Sequence, residues 1–559
     1  MPDKVYRCNL NSQIGVIQQK YFFTFEGWVS PGLSLLIMKK VFFCIALLLP
    51  LFTLAQSTDM YFDKGVELFN NKDYNGAMTY FTKEIELNPK NLEAYNYCGA
   101  IKSQLGDFQG AMDEFTKEIA INPNSDLAYA NRGFAKLGAK DFKGAITDCD
   151  HAIAINPKST LAYTNRGNAK NRQGDYNGAI TDFNKLIEIN PNDASAYTNR
   201  GNSKLGLANY KDALEDLNKA IELDPKIPEA YLDRGLAKSN LKDTYGAIDD
   251  FGKAIAINAA YEPGYLYRGI QKSELSNYND ALADFNQAIT LDPKDAEAYE
   301  KRGVLKAKME NYGDARTDLS QAIVLNPEYA EAYFDRAEAK VKLQDNDGAM
   351  ADFTKAISIA PDFSPAYNDR GILKVSMNDF NGAIADYNKE IALSPNLELS
   401  YFNRGIAQLN LHKKNEAIAD FTKTIALNPD YKEAYYYRGA LSIDVRDFNL
   451  AINDLSKAID YNLNLPVSYA LRGYAKFGLR NYAGAIADLT KAIELNPAND
   501  EIYNVRGRVY YSQQNKEAAC ADWTKAASLG NKGAILSLRE LCGKAKTQKP
   551  HPAGWVDWH

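Results

Sequence analysis

The stretch Leu161-Ala-Tyr-Thr-Asn-Arg-Gly-Asn-Ala-Lys-Asn-Arg-Gln-Gly-Asp-Tyr-Asn-Gly-Ala-Ile-Thr-Asp-Phe-Asn-Lys-Leu-Ile187 decides the fold. Apolar and small residues recur in it at helical spacing in two blocks, and Gly174-Asp175 separates them. The first block reads as one helix and the second as another. Asp175 is placed to cap the second, and the proline that follows, Pro191, stops that helix from running on. Gly167 and Ala179 are small enough to let the two helices approach closely, while Tyr163, Phe183 and Ile187 fill the remaining space.

The same pattern recurs every 34 residues from Thr58 through Gly533 without an insertion or deletion, giving fourteen units, of which the first is 58–91, the fourth 160–193 and the last 500–533. Asn-Pro or a near relative ends most of them, from Pro89 and Pro123 to Pro497; Ala259, Leu463 and Asn531 stand in its place in the other three. A tyrosine opens the first helix of every unit, from Tyr61 to Tyr503, and an alanine follows sixteen residues later, from Ala77 to Ala519.

This period and its small–aromatic–proline signature resemble the tetratricopeptide repeat over residues 58–533. The resemblance implies an all-α, right-handed superhelical solenoid of about fourteen helix-turn-helix repeats, whose first helices line a concave inner wall. The chain departs from the commonest motif in one respect: an arginine precedes the first glycine, as in Arg132-Gly133, Arg166-Gly167 and Arg472-Gly473. A guanidinium at that depth needs a partner, and an aspartate lies sixteen residues on, giving Arg132 with Asp148, Arg166 with Asp182 and Arg472 with Asp488. Twelve units carry the arginine and the same twelve carry the aspartate, whereas the first two have Lys64 with Tyr80 and Cys98 with Glu114. The matched absences predict a ladder of ion pairs between the two helices of each unit.

Positions constant among the copies serve the fold, so partner recognition falls to those that vary. Along the first helices these lie two before and one, five and eight after the opening tyrosine. The fourth and fifth units are polar there, with Thr164, Asn168, Thr198 and Asn202. The centre is acidic, with Glu297, Glu300, Glu331 and Glu338, and the carboxyl end is aromatic, with Phe402, Tyr436, Tyr474, Phe477 and Tyr511 beside Arg508. Such a groove suits an extended peptide or a helix, with amides holding backbone groups and rings anchoring apolar side chains. Some members of the family clamp a terminal carboxylate with Lys, Arg and Asn, which the acidic centre here does not favour.

The amino-terminal end has a different character. Met38-Lys39-Lys40, the apolar run Val41 to Leu54 and then Ala55-Gln56 match the parts of a secretory signal, with cleavage expected after Ala55. Residues 1–37 carry no repeat pattern and read as an upstream mis-start or an extension, the alternative being a membrane anchor that is not cleaved. Residues 38–55 are thus the expected signal, 56–533 the repeats, 534–543 a capping helix and 544–559 a tail without a helical pattern that ends in two tryptophans. Of six cysteines, Cys98 and Cys149 sit at core positions, while Cys520 and Cys542 are placed for a disulfide between cap and last repeat in an exported, periplasmic or extracellular protein.

With 45% apolar residues the chain can bury a large core, and a net charge of −6 without a long basic run argues against nucleic acid as partner. Four scattered histidines, no phosphate loop and no serine elbow leave no material for catalysis, a metal site or a cofactor. The expected function is a non-enzymatic scaffold for a protein or peptide partner. A chaperone-like holder of exported clients, or an array binding glycan or cell wall, are the alternatives.

Overall fold

A computed structural model of the chain describes residues 60–543. The candidate signal, the residues before it and the tail from Lys544 lie outside the described residues. Among the described residues the regular structure is helical, two helices to each 34-residue repeat. The fourth repeat shows how sequence produces it. Its first helix is Thr160–Arg172 and its second Tyr176–Ile189. Between them Gly174 takes a left-handed φ of +81°, and the Asp175 carboxylate accepts the Gly178 N–H at 2.9 Å. The same turn forces Lys140, Lys242 and Asn378 to φ of 62° to 67°, which costs roughly 1–3 kcal/mol each and is borne by the packing on either side. A Cβ added at Gly167 would sit 2.7 Å from the Phe183 ring, so this approach admits only glycine unless the ring moves.

The chain divides between Lys301 and Arg302 into two compact parts. Within each part a first helix packs on its own second helix, and that second helix on the next first helix. First helices of consecutive repeats also touch, as Asp126–Gly138 does Thr160–Arg172 and Lys432–Asp444 does Leu465–Gly478, so they line one side together. The fully buried residues are those the repeat holds constant: alanines such as Ala77, Ala179 and Ala485, and rings such as Phe183, Phe251 and Phe421.

All twelve expected arginine–aspartate pairs form, from Arg132–Asp148 at 2.7 Å to Arg506–Asp522 at 2.8 Å. In repeat 13, Arg472 donates from Nε and Nη2 to both Asp488 oxygens at 2.8 Å, and from Nη1 to Ser456 of the preceding repeat at 3.0 Å. Its flat face covers the Tyr469 ring, 5.4 Å from the centroid. A lysine four residues on adds a third strand to the pair, Lys476 Nζ lying 2.7 Å from Asp488. Burial alone would raise the Asp148 carboxyl, but hydrogen bonds from Arg132 and Lys136 outweigh it and hold it below the usual range. In repeat 12 the lysine is replaced by Ser442, and burial wins: the Asp454 carboxyl is pushed up although Arg438 still lies 2.7 Å away.

One buried carboxyl stands outside this scheme. Glu390 occupies a position that is alanine in nine repeats, and it is 1% exposed. At the same place Glu84 accepts from Asn91 at 2.8 Å and Glu118 from Ser125 at 3.0 Å. The residue that should donate to Glu390 is Leu397, and its Oε2 has no hydrogen-bond partner. Burial pushes its carboxyl up to about 7 against the opposing pull of the Ser400 hydroxyl.

The array closes at the carboxyl end with a short helix, Lys532–Ser537, which starts two residues earlier than the sequence pattern suggests because the Asn531 side chain caps it. A wider turn, Leu538–Cys542, completes the cap. Leu538 and Leu541 pack on the cluster of Tyr503, Trp523 and Ala526. Cys520 and Cys542 are joined in a disulfide, their Cα atoms 5.9 Å apart. Cys98 and Cys149 are buried free thiols.

Removing one member of a buried pair leaves an uncompensated charge, so Arg472→Met should weaken its repeat by about 3–5 kcal/mol. Hydrogen exchange in Leu465–Gly478 and Tyr482–Leu495 should quicken while distant repeats keep their protection, and unchanged exchange there would show the pair to be idle. For Glu390 the folded-state value lies above the unfolded one of 4.5. The protonated carboxyl then favours the native state fully below pH 4.5, and that contribution is lost as pH climbs through about 7. Glu390→Gln should flatten the pH dependence of the thermal midpoint across this window, and an identical slope in parent and variant would contradict the assignment.

Candidate partner-binding face

The side lined by the first helices carries the residues singled out from the sequence, and the structure sorts them by what they touch. In the part up to Lys301, the Thr164 and Thr198 hydroxyls donate back to their own helix, to the carbonyls of Thr160 and Ala194, both at 2.9 Å. Thr198 is buried. Asn168 is half-buried. Asn202 is exposed, and its amide reaches Asp233 of the next repeat at 3.2 Å. Asp233 extends the acidic stretch toward the amino end, a residue the sequence pattern did not flag.

Around Tyr267 several carboxyls converge. Glu300 is buried beside Lys301, their charged atoms 2.9 Å apart, and Glu297 is half-buried. Burial, then Asp295 and Glu300, push the Glu297 carboxyl up against the opposing pull of Lys301. Glu262 is the more extreme case. In repeats 3 and 11 an asparagine near the end of the second helix anchors the acidic residue that opens the repeat, Asn156 to Asp126 at 2.7 Å and Asn428 to Glu398 at 3.2 Å. Repeat 7 puts Asp292 where the asparagine belongs, opposite Glu262. Burial, followed by Asp295, Asp292 and Glu297, pushes the Glu262 carboxyl up to about 8. The Tyr267 hydroxyl is raised by its burial and by the same anions. The exchange of Asn for Asp at residue 292 was the available signal.

In the part from Arg302, Glu331 and Glu338 are exposed. Burial of its inner atoms and the nearby Asp369 push the Glu338 carboxyl up, and burial does the same to Asp369 against the hydrogen bond from Asn368. Phe402 is committed to packing: its ring lies 4.8 Å from Tyr431 and 5.6 Å from Phe421. Tyr436 rests on Tyr437 and its hydroxyl accepts from Asn464. Phe477 rests on Tyr482. Tyr474, Arg508 and Tyr511 are exposed on the same side. Beside Tyr474 a pocket of about 230 Å³ opens among Pro466, Val467, Ala470, Leu471, Ile502 and Val505.

Among the described residues this arrangement offers amides, buried carboxyls and an apolar hollow. Among the described residues there is no group of three or more His, Cys, Asp or Glu side chains arranged to hold a metal ion, and no helix long and apolar enough to cross a membrane.

Family models of the tetratricopeptide repeat match residues 58–91, 194–227, 301–363 and 399–431, and a TPR repeat model matches 167–207, 274–310 and 480–529. No curated protein matches the chain. Among solved structures it is similar to a chain of the APC/C hetero-tetramer Cut9–Hcn1, at 16% identity over 87% of this chain and 96% of that one, with a TM-score of 0.42. It is also similar to yeast Tom70, at 20% identity over 71% and 99%, with a TM-score of 0.37. A third is YrrB, described as a TPR protein with an unusual peptide-binding site, at 21% identity over 33% and 96%, with a TM-score of 0.30. The invariant 34-residue period, the paired helices that it encodes and the family matches along its length agree: the chain is a tetratricopeptide-repeat protein.

Proposed function

We propose that the chain is an exported, non-enzymatic scaffold that holds a peptide or protein partner on the face of its first helices. Tetratricopeptide repeats serve protein interaction in general, and the observation that carries the reading for this chain is the division of labour within each repeat. Alanines and rings that the copies share are buried, while several of the residues that differ from copy to copy, such as Asn202 in the first part and Glu338, Tyr474 and Tyr511 in the second, stand exposed on the first helices. Localisation rests on the candidate signal at 38–55 and is supported by the Cys520–Cys542 bridge, a bond favoured in oxidising compartments.

Two outcomes are expected. Protein recovered from the cell envelope or medium should begin at Gln56 by mass spectrometry, and a chain still carrying residues 38–55 would favour the uncleaved anchor. In a cross-linked pulldown from those fractions, Tyr474→Ala, Arg508→Ala and Tyr511→Ala combined should lose a specific partner while circular dichroism is unchanged. Phe402 is left intact in that variant because its loss would disturb the core. Retention of every partner would move the site away from the carboxyl-terminal face, and diffuse binding of many unfolded clients would favour a holder.

A further inference from the structure

Repeats 9 and 11 seal the floor of the first-helix face with a pair of rings. One comes from the residue after the opening tyrosine and the other from the last residue of the repeat, Phe334 with Phe363 at 5.2 Å and Phe402 with Tyr431 at 4.8 Å. Repeat 13 carries Ala470 and Asn499 at these two positions. With both rings gone, the floor becomes the open pocket of about 230 Å³, with Tyr474 at its side.

A small residue does not open a pocket by itself. Ala130 holds the same place in repeat 3 and is completely buried, because Asn165 of the next repeat covers it and donates to its carbonyl at 3.0 Å. The residue equivalent to Asn165 over Ala470 is Val505, which lines the hollow instead of bridging it.

The polar rim departs from the pattern as well. Where Asn156, Asn428 and Asn531 give their amides to the acidic residue that opens their repeat, Asn496 faces Pro466, which has no side-chain acceptor to offer. Asn499 uses its side-chain oxygen to accept the N–H groups of Glu501 and Ile502 at 3.1 and 3.2 Å, so its NH₂ group is its remaining donor. Both amides line the pocket, and Glu501, whose carboxylate accepts from the neutral amides of Asn531 at 2.8 Å and Asn504 at 3.4 Å and so keeps its charge unpaired by a cation among the described residues, is the charged residue among its walls.

We infer that this pocket is the anchor site for an aromatic side chain of an extended partner peptide with a basic residue next to it. The ring takes the place vacated by the aromatic pair, the peptide carbonyls accept from Asn496 and Asn499, and the basic group faces Glu501. This rests on the reading of the first-helix face as a peptide-binding surface and adds what that surface selects.

The test is fluorescence anisotropy of labelled peptides, titrated with the full chain. One peptide carries a central Trp beside Lys, a second has Ala for Trp, and a third has Glu for Lys. The first should bind, and replacing Trp should cost about tenfold or more. Ala470→Phe, which restores the ring of repeat 11, and Val505→Asn, which copies the cover over Ala130, should each abolish binding with thermal unfolding unchanged. Glu501→Gln should narrow the gap between the Lys and Glu peptides. Equal binding by parent and Ala470→Phe, or binding of none of the peptides, overturns the assignment. So does binding that emerges only once residues 544–559 are removed, because the chain's own tail would then be the occupant. Should Ala470→Phe still capture the partner found by pulldown, the pocket is wrong while the scaffold reading stands; should the parent capture no partner, the scaffold reading itself fails.

Discussion

The arrangement depends on one side chain repeated twelve times, the arginine three residues after the opening tyrosine. Its donors and its ring face are engaged in three directions at once. In repeat 9, Arg336 grips Asp352 of its own second helix at 2.8 Å through two nitrogens, reaches Ser320 of the preceding repeat at 3.1 Å through the third, and lies 5.5 Å over the Tyr333 ring. A paired charge of this kind contributes little net stability over a hydrophobic substitute, because desolvation offsets attraction. Its effect is on register. A repeat displaced by a single residue would strand a guanidinium and a carboxylate in the interior, a far larger penalty than the pair's own worth. That constraint accounts for a period without insertion in the twelve repeats that carry the pair, from Asp126 through Gly533.

The ends of the array use other means, because a terminal repeat lacks a neighbour on one side. In the first two repeats the arginine is absent, and Glu114 keeps only lysines, with Lys102 at 2.7 Å. Aromatic contact replaces the ladder there: Tyr97 stacks on Phe81 at 4.9 Å and meets Phe69 edge-on at 5.1 Å. At the other end Trp523 fills the last core, its indole N–H donating to the Asn504 carbonyl, and the disulfide ties the cap to the same helix. Closing the 22-residue span between Cys520 and Cys542 restricts the unfolded chain by about 3 kcal/mol in the loop-entropy account.

The repeats, their helices and the ion pairs were legible in the sequence because each is a presence, copied many times at a fixed offset. What escaped was of two kinds. The lysine that joins nine of the twelve pairs, such as Lys340 on Asp352 at 2.7 Å, sits four residues after the arginine and reads as an ordinary exposed charge. The reach of the arginine to the preceding repeat likewise leaves no mark in a single unit. The second kind is an absence. Phe402 and Tyr436 look like better partner anchors than Ala470, since a ring draws attention and a missing ring does not, yet Phe402 is held by Phe421 and Tyr431 while Ala470 leaves room. Glu390 and Glu262 are similar: neither residue is unusual alone, and each becomes so when burial is combined with a donor missing opposite it, at Leu397 and at Asp292.

Those departures fall where the arginine network does not reach, which is why the fold accommodates them. The network fastens a first helix to two second helices, and it uses positions on the sides of the first helix that face them. The residues one, five and eight after the opening tyrosine lie outside it, so a change there leaves the pairs themselves in place, even where, as at Phe402, the residue also packs on its neighbours. Polar amides near Asn202, carboxyls around Tyr267 and an apolar hollow at Ala470 can therefore coexist on helices of the same length and geometry. A stiffly specified backbone is in this sense the condition for a freely varied face: because the pairs hold every repeat in the same register, one substitution such as Ala470 changes what the surface can receive without changing where that surface is.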